Sequence, residues 1–268
     1  MKEYTLSNGV KIPAIGLGTW LTPNDKAANI IKMAFELGYR HIDSAQDYQN
    51  EVGVGEGMKL TGLKREEIFV TTKVASHLKT YQEAYDSVMV SLKKLDVDYI
   101  DLVLIHCPQP WSVFRGEYNY FKENIEVWRA LEDLYLDGKI KAIGVSNFDE
   151  ADLQNIFDHC RIRPMVNQFC VHIANTPFGL IKFCQENGVV VESYCPNGHG
   201  KLLDKKELIA LANKYHVSVA SICVKYCDNL NTVVLPKASS YDHLKDNISL
   251  DFEISEEDME YLKNISFE

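Results

Sequence analysis

The regular alternation of short apolar runs with longer amphipathic segments is the feature that most limits what this chain can fold into. The apolar runs are rich in Val and Ile and nearly continuous, which is typical of parallel strands buried on both faces. We predict eight such strands, at 15–17, 41–43, 68–72, 100–105, 140–145, 165–168, 189–192 and 232–235. Because strands that alternate with helices form βα units, the sequence predicts an α/β fold with a parallel sheet.

The segments between the predicted strands have helical spacing and recognisable ends. In the first, apolar residues from Ala27 to Leu37 fall on one face, and Gly38 supplies a stop signal. In a later segment, Thr80 and Glu83 match a capping box, in which a hydroxyl and a carboxylate satisfy the free amides at a helix start. These segments therefore indicate helices that cover the sheet.

Eight βα units in 268 residues favour a closed (β/α)8 TIM barrel over an open, doubly wound sheet, because such barrels typically need about 250 residues. No Pro-, Gly- or Ser-rich linker divides the chain, so we expect a single barrel domain over residues 1–268. An Asn8-Gly9 pair between two alternating runs predicts a β-hairpin near the N-terminus. We expect this hairpin to close the floor of the barrel.

Charge and cysteine content exclude several classes of partner. The chain has 28 Lys and Arg against 38 Asp and Glu, a net charge of −10, whereas nucleic acids and anionic membranes select for basic patches. Its N-terminus lacks the apolar run of a signal peptide. Seven scattered cysteines without a Cys-x-x-Cys motif indicate reduced thiols rather than a disulfide framework. We therefore expect a cytoplasmic protein that binds neither nucleic acid, nor membrane, nor metal.

Four polar residues follow successive predicted strands. In a barrel of this kind the chemistry lies at the C-terminal ends of the strands and on the loops after them. The second predicted strand ends at Asp43, the third runs into Lys73 and the fourth into His106, while Tyr48 follows on the second loop. A single Asp or Lys after a strand usually caps a helix or lies at the surface. Four residues in register on adjacent loops favour a functional site.

These four side chains suit proton transfer to an oxygen. A free phenol has a pKa of roughly 10, and an ammonium group within about 4–6 Å favours the phenolate and lowers that value. We expect Lys73 to lower the pKa of Tyr48 in this way, Asp43 to hold Lys73, and His106 to orient a carbonyl oxygen. Because no side chain supplies a hydride to the carbonyl carbon, a nicotinamide cofactor is implied.

The motifs around these residues resemble those of the aldo-keto reductases. Residues 38–45, continued by Tyr48, 50–51 and 54–55, are similar to the first signature of that family, and 138–148 is similar to the second. Shorter matches follow in the same order at 105–108, 166–168 and 235–237. The likeness covers essentially the whole chain and is to short bacterial-type members, similar to diketogluconate reductases and prostaglandin F synthases.

The resemblance implies a (β/α)8 barrel that interconverts small-molecule carbonyls and alcohols with NADPH or NADH. Many members of the family are monomers, which favours a monomer over a weak oligomer. It implies a catalytic tetrad of Asp43, Tyr48, Lys73 and His106, with Tyr48 as the general acid. The residues expected at the cofactor are Thr19, Asp43, Ser146, Asn147, Gln168, Tyr194, Cys195, Asn197, Lys237, Ala238, His243 and Asn247. Those expected at the substrate are Trp20, Tyr48, Ala75, His106 and Trp111.

Within the cofactor set the resemblance implies separate roles. Ser146, Asn147 and Gln168 match residues that hold the nicotinamide carboxamide. Tyr194 matches the aromatic residue on which the nicotinamide ring stacks. Lys237 matches the cation that meets the adenosine phosphate.

Two positions depart from the family pattern beside that phosphate. Ala238 stands where Ser is usual, and His243 stands where Arg is usual. Arg is always charged and can bind a phosphate with two hydrogen bonds, whereas His is largely neutral at pH 7. We therefore expect a weakened preference for NADPH, with NADH as an alternative cofactor, unless Lys237 alone suffices.

The residues leave other interpretations open. Lys73 could be the nucleophile of a Schiff-base lyase, or the barrel could bind nicotinamide nucleotide without catalysis. Cys107, Cys170 and Cys195 follow strand ends and are either buried free thiols or a redox group. The aromatic segment 111–120 either lines the substrate pocket or packs on a neighbouring loop.

A glycine repeat, Gly53-x-Gly55-x-Gly57, superficially suggests a dinucleotide-binding loop. It lacks the Gly-x-Gly-x-x-Gly spacing and does not directly follow a strand. We interpret it as a site of close helix packing.

Overall fold

The computed structural model of the protein describes residues 2–267. Its strands form a two-stranded hairpin and an eight-stranded parallel sheet. The hairpin pairs β1 (Glu3–Thr5) with β2 (Lys11–Pro13). The parallel sheet consists of β3 (Leu17–Gly18), β4 (His41–Asp43), β5 (Phe69–Val74), β6 (Ile100–Ile105), β7 (Ile140–Ser146), β8 (Val166–Cys170), β9 (Val190–Tyr194) and β10 (Val233–Leu235). Met1 and Glu268, the two ends of the predicted domain, lie outside the described residues.

The parallel sheet closes on itself. Its strands follow chain order from β3 to β10, and each is hydrogen-bonded to the next. Two parallel bridges join the first and last strands, one between Ile15 and Val234 and one between Gly18 and Lys237. The predicted (β/α)8 barrel is therefore confirmed.

Helices connect the strands and cover the barrel. They are α1 (Asn24–Glu36), α2 (Glu51–Leu60), α3 (Tyr81–Leu95), α4 (Phe121–Leu136), α5 (Glu150–His159), α6 (Phe178–Glu186), α7 (Lys206–Tyr215), α8 (Val219–Asn229), α9 (Tyr241–Ile248) and α10 (Glu256–Asn264). The predicted capping box starts α3, where the Glu83 amide donates to Thr80 Oγ1 (3.3 Å) and the Thr80 amide donates to Glu83 Oε2 (3.1 Å). Within residues 2–267, no helix combines the length and the apolar character that crossing a membrane requires.

The N-terminal hairpin lies at the bottom of the barrel. The Leu6 amide donates to the Val10 carbonyl (2.8 Å) across the Asn8-Gly9 turn. Asn8 Nδ2 donates to the Lys141 carbonyl (2.9 Å), close to the N-terminal end of β7. The hairpin is thus at the end of the barrel opposite the C-terminal strand ends, as predicted.

Of the eight predicted strands, 41–43 and 100–105 have the same bounds in the structure, and the other six differ by one or two residues at an end. The first predicted strand, 15–17, is shifted to Leu17–Gly18, with Ile15 joined to β10 only by a single bridge. The third extends beyond 68–72, so that Lys73 lies within β5 rather than on the loop after it. All six residues of β5 are buried. A lysine interrupts the apolar pattern that predicts a strand, although inside the barrel its charge meets a carboxylate.

The glycine repeat lies in α2 and permits close helix packing. A Cβ at Gly53 would lie 2.1 Å from the Asn24 carbonyl oxygen at the start of α1, and one at Gly55 would lie 2.4 Å from the Leu95 carbonyl oxygen at the end of α3. These distances are too short for any side chain. The repeat therefore serves packing, as predicted, and not nucleotide binding.

Replacing Gly53 with Ala tests this packing. We expect the free energy of unfolding to fall by about 1–3 kcal/mol, the usual cost of overpacking, because the new Cβ would collide with backbone. Urea denaturation measures the change. Gly179→Ala is the matched control, because it is also helical and its Cβ would meet only Glu150 Oε1 at 3.8 Å. Equal denaturation midpoints for the two variants would contradict close packing at Gly53.

Candidate active site

The four polar residues predicted from the strand ends meet at the C-terminal mouth of the barrel. Asp43 is the last residue of β4, Lys73 lies near the end of β5, and His106 directly follows β6. Tyr48 ends a short 3-10 helix, Gln46–Tyr48, in the loop after β4. Because adjacent strands of the barrel are parallel and in close register, these residues face one region.

Lys73 is a buried ammonium group matched by Asp43. Its Nζ donates to both carboxylate oxygens of Asp43 at 2.7 Å and to the Ser44 carbonyl at 2.8 Å. The Lys73 side chain has 0% of its surface exposed. Burial acts to lower the pKa of Lys73, but the charge and hydrogen bonds of Asp43 oppose it, and the pKa of Lys73 is raised above its ordinary value. Lys73 is therefore charged at neutral pH.

Tyr48 lies against the same ammonium group, with Lys73 Nζ 3.4 Å from its hydroxyl oxygen. Lys73 acts to lower the pKa of this phenol, as expected, but the net shift is upward and the phenol is not unusually acidic. Burial raises the pKa of Tyr48, and the opposing effect of Lys73 is smaller, because burial removes the water that would solvate a phenolate. The phenol is thus protonated at neutral pH, as a proton donor must be.

His106 is enclosed by aromatic rings and an acidic side chain. Its ring centroid lies 5.6 Å from that of Tyr48 and 5.3 Å from that of Trp111, both edge-on. Its Nδ1 lies 3.1 Å from Asp47 Oδ2. Burial lowers the pKa of His106 below its ordinary value, while Asp47 acts in the opposite direction. Asp47 is absent from the predicted site, and its only sequence signal is a charge directly before Tyr48.

Beside His106, Ser146, Asn147, Gln168 and Tyr194 form a hydrogen-bonded network. Asn147 Nδ2 donates to the His106 carbonyl and to Ser146 Oγ, both at 3.0 Å. Ser146 Oγ donates to the Gln168 carbonyl, and the Tyr194 hydroxyl donates to Asn147 Oδ1, both at 2.8 Å. The structure therefore brings together the residues predicted to hold the nicotinamide.

A second buried carboxyl group, Glu192, is hydrogen-bonded to Gln168 of this network. Gln168 Nε2 donates to Asp43 Oδ1 and to Glu192 Oε2, each at 2.8 Å. Burial, followed by the charge of Asp43, raises the pKa of Glu192 to about 8. His41 Nε2 lies 3.8 Å from Glu192 Oε1, but burial lowers the pKa of His41 to about 4. This contact therefore joins two neutral groups at pH 7 and is not an ion pair.

Glu192 is missing from the predicted site. Its signal in the sequence is one acidic residue at the end of the apolar run 189–192. A charge at a strand end normally indicates that the chain has reached the surface. Here β9 continues to Tyr194, and Glu192 faces other polar groups inside the barrel.

The remaining predicted cofactor residues border the seam between the first and last strands. Thr19 is buried and its hydroxyl donates to the Asp43 carbonyl (2.9 Å). Lys237 is exposed directly after the Pro236 that follows β10. The bridge between Gly18 and Lys237 brings this cation to the loop that carries Thr19.

Three further residues predicted at the adenosine end of the cofactor lie in and before α9. Ala238 and Asn247 are buried, at 5% and 3% exposure. His243 is exposed in the first turn of α9, with its amide bonded to Ser240 Oγ (3.4 Å). Only His243 of these three therefore presents its side chain to solvent.

The loop after β9 carries the predicted residues Cys195 and Asn197. Cys195 has a left-handed φ of 60°, and its Sγ accepts the His199 amide (3.0 Å). The neighbouring Cys170 thiol lowers the pKa of Cys195. Burial raises the pKa of Cys107 to about 11. The structure thus pairs Cys170 with Cys195 as free thiols.

The predicted substrate residues differ in accessibility. Trp20 and Trp111 lie at the rim with 46% and 45% of their surface exposed, whereas Ala75 is buried. Phe114 packs on Trp111 with ring centroids 5.5 Å apart. The aromatic segment 111–120 therefore both borders His106 and packs within itself.

Comparisons with known proteins agree on one family. A sequence model of the aldo/keto reductase family matches residues 14–266. The chain is 40% identical to the oxidoreductase YtbE of Bacillus subtilis, over 96% of this chain and 90% of the relative. It is 39% identical to the glyoxal reductase of the same organism, over 95% and 89%. A solved aldo-keto reductase of Bombyx mori in complex with NADP has 33% identity and a TM-score of 0.88, covering 98% of this chain and 92% of that one.

Replacing Glu192 with Gln should change how stability depends on pH. The pKa of Glu192 rises from 4.5 to about 8 on folding, so the folded protein keeps a proton that the unfolded chain releases. Its stabilising contribution is complete below pH 4.5 and is lost as the pH rises through 8. We expect the unfolding free energy of the wild type to fall, relative to Glu192→Gln, by up to about 1.4 kcal/mol per pH unit in this range.

Urea denaturation at pH 5 and pH 8.5 measures this difference. Glu117→Gln is the control, because Glu117 is exposed, and it should keep the wild-type pH dependence. The same dependence in Glu192→Gln would show that Glu192 is not a buried neutral acid.

Proposed function

Because the chain belongs to the aldo/keto reductase family, we propose that it catalyses the reversible, NADPH-dependent reduction of an aldehyde or ketone to an alcohol. The contact that carries this proposal joins Lys73 Nζ to the Tyr48 hydroxyl at 3.4 Å, with the Asp43 carboxylate on the same ammonium group. It combines a protonated phenol with a fixed positive charge at the mouth of the barrel. This combination supports proton donation to a substrate oxygen.

Tyr48 is the proton donor in this proposal. Since burial raises its pKa, the phenol holds its proton until a neighbouring oxygen gains negative charge. The Lys73 ammonium then stabilises the phenolate that remains, and Asp43 keeps Lys73 charged and in place. His106 lies beside Tyr48 and orients the carbonyl oxygen.

The residues around the tetrad fit a nicotinamide nucleotide. Asn197 Oδ1 is buried and has no hydrogen-bond partner within residues 2–267, which supports its use as an acceptor for a ligand. Gln168 donates its amide nitrogen to two buried carboxyl groups, so its amide oxygen is available to a carboxamide. Ser146 and Asn147 would hold that carboxamide with Gln168, beside the ring of Tyr194. The cofactor supplies the hydride when it is bound.

The choice of NADPH rests on one exposed cation and on relatives. Lys237 is exposed beside the barrel seam, where it can meet a 2′-phosphate. The Bombyx mori relative was solved with NADP. Neither Ala238 nor His243 supplies the permanent charge of an arginine, so Lys237 carries most of the preference for the phosphate.

The geometry disfavours the two other interpretations. A Schiff-base lyase needs Lys73 as a neutral amine, but Asp43 raises the pKa of Lys73 and keeps it an ammonium. A barrel that only binds nucleotide would leave the contact between Lys73 and Tyr48 without a role. Reduction uses both groups.

Replacing Tyr48 with Phe tests the proton donor. We expect kcat for NADPH-dependent aldehyde reduction to fall about 10²–10⁴-fold, the usual contribution of general acid catalysis, while NADPH binding is unchanged. Nicotinamide absorbance with a panel of aldehydes and ketones measures turnover, and fluorescence titration measures binding. Tyr261→Phe, at an exposed position on α10, is the matched control and should match the wild type.

Two outcomes distinguish the role of Tyr48 as proton donor from the proposed activity itself. Full turnover by Tyr48→Phe would remove Tyr48 as the donor. A wild-type protein that reduced no carbonyl of the panel would refute the proposed function itself.

Replacing Lys237 with Met tests the cofactor preference. We expect the KM for NADPH to rise about 10- to 150-fold, because a hydrogen bond to a charged group contributes about 1.5–3 kcal/mol and about 1.4 kcal/mol corresponds to tenfold, while the KM for NADH is unchanged. Lys245→Met, at an exposed lysine on α9, is the control. An equal effect on both cofactors would rule out a contact between Lys237 and the 2′-phosphate.

The wild-type preference is a separate measurement. Without an arginine at position 243, we expect kcat/KM for NADPH to exceed that for NADH by less than about a hundredfold. A larger ratio would contradict the expected weakening and would mean that Lys237 alone suffices.

A further inference from the structure

Asp47 forms a contact with His106 that the proposed function does not use. Asp47 directly precedes Tyr48 in the 3-10 helix at the mouth of the barrel. Its Oδ2 lies 3.1 Å from His106 Nδ1, with 28% of the Asp47 side chain and 7% of the His106 side chain exposed. A largely buried imidazole is thus held against a carboxylate beside the proton donor.

The proton between these two groups belongs to Nδ1. A carboxylate is only an acceptor, so Nδ1 must donate. The hydrogen bond with His106 is the main cause that keeps the pKa of Asp47 below its ordinary value, and the Ser76 amide contributes in the same direction. Asp47 therefore remains a carboxylate at neutral pH. In a neutral imidazole with its proton on Nδ1, the other nitrogen, Nε2, carries a lone pair.

This arrangement conflicts with carbonyl binding by a neutral ring. A carbonyl oxygen is itself only an acceptor, so Nε2 with a lone pair cannot donate to it. Nε2 gains a proton only when the ring becomes an imidazolium. Orientation of a carbonyl by His106 is therefore linked to a second proton on the ring.

We propose, on the basis of the proposed function, that Asp47 is a positioning residue that commits neutral His106 to the Nδ1–H tautomer, so that a carbonyl receives a hydrogen bond from Nε2 only when the ring is doubly protonated. Carbonyl reduction then becomes more efficient as the pH falls. Without a carboxylate at position 47, the neutral ring is free to carry its proton on Nε2 and to donate at any pH.

The direction and range of this effect follow from the surroundings of His106. Burial lowers the pKa of His106 below its ordinary value of 6.5, so the doubly protonated form is the minor form at pH 7 and its fraction falls as the pH rises from 5 to 8. The other titratable groups near the ring or near Asp47 are Asp43, Tyr48, Lys73 and His77. Tyr48 and Lys73 both have raised pKa values and keep their protons throughout this range. His77 is exposed and acts on Asp47, so it needs its own control.

Kinetics against pH provide the first test. Benzaldehyde has no ionisable group, and kcat/KM for its reduction at saturating NADPH is measured from pH 5 to pH 8. We expect the wild-type value to fall about tenfold over this range, the size of a hydrogen bond from a charged donor. Asp47→Ala should give a flat profile, whereas the control His77→Asn should follow the wild type. A flat wild-type profile, or a fall shared by Asp47→Ala, would overturn the proposal.

The tautomer itself provides a second test that needs no turnover. In ¹⁵N NMR spectra of histidine-labelled protein, His106 is assigned by its loss in His106→Gln. We expect the neutral ring to carry its proton on Nδ1 in the wild type and on Nε2 in Asp47→Ala. A wild-type proton on Nε2 would overturn the proposal even if Asp47→Ala does not fold.

The two tests separate this inference from the proposed function. Wild-type protein that has the Nδ1–H tautomer but reduces no carbonyl would refute the function and keep the effect of Asp47 on the ring. Protein that reduces benzaldehyde with a proton on Nε2 would refute only the inference.

Discussion

The site depends on a lysine ammonium group buried inside the barrel. Removing an ammonium from water costs several kcal/mol unless its charge is matched, and Lys73 has no exposed side-chain surface. Both oxygens of Asp43 and the Ser44 carbonyl provide that match at 2.7–2.8 Å. The pairing therefore holds Lys73 at one point, and Tyr48 lies against the same nitrogen.

The same charge limits what its neighbours can carry. Asp43 and Glu192 share the amide group of Gln168, but one ammonium neutralises only one carboxylate. Because Asp43 holds Lys73, Glu192 stays a neutral acid, and its raised pKa reflects burial first and the charge of Asp43 second. Gln168, whose carbonyl accepts hydrogen bonds from Ser146 and Asn147, thus donates its amide group to one charged and one neutral carboxyl group.

Burial also decides the state of the two groups that face a substrate. The ammonium of Lys73 favours a phenolate, yet loss of water around Tyr48 outweighs it and keeps the phenol protonated. At His106, burial and the nearby Asp47 act in opposite directions, and burial again prevails. Both groups therefore differ from what a count of neighbouring charges predicts.

The sequence by itself determined the barrel and the set of polar residues at its mouth. Strand and helix periodicity are local, and parallel strands in chain order bring Asp43 and Lys73 to one end of the sheet, with His106 just beyond it. Only the tertiary structure decided which of these groups are charged and which unforeseen residues join them. The contact of Asp47 with His106 and the link from Glu192 to Asp43 connect positions far apart in the chain. Their effect on a pKa depends on distance and on exclusion of water, which no local pattern of residues contains.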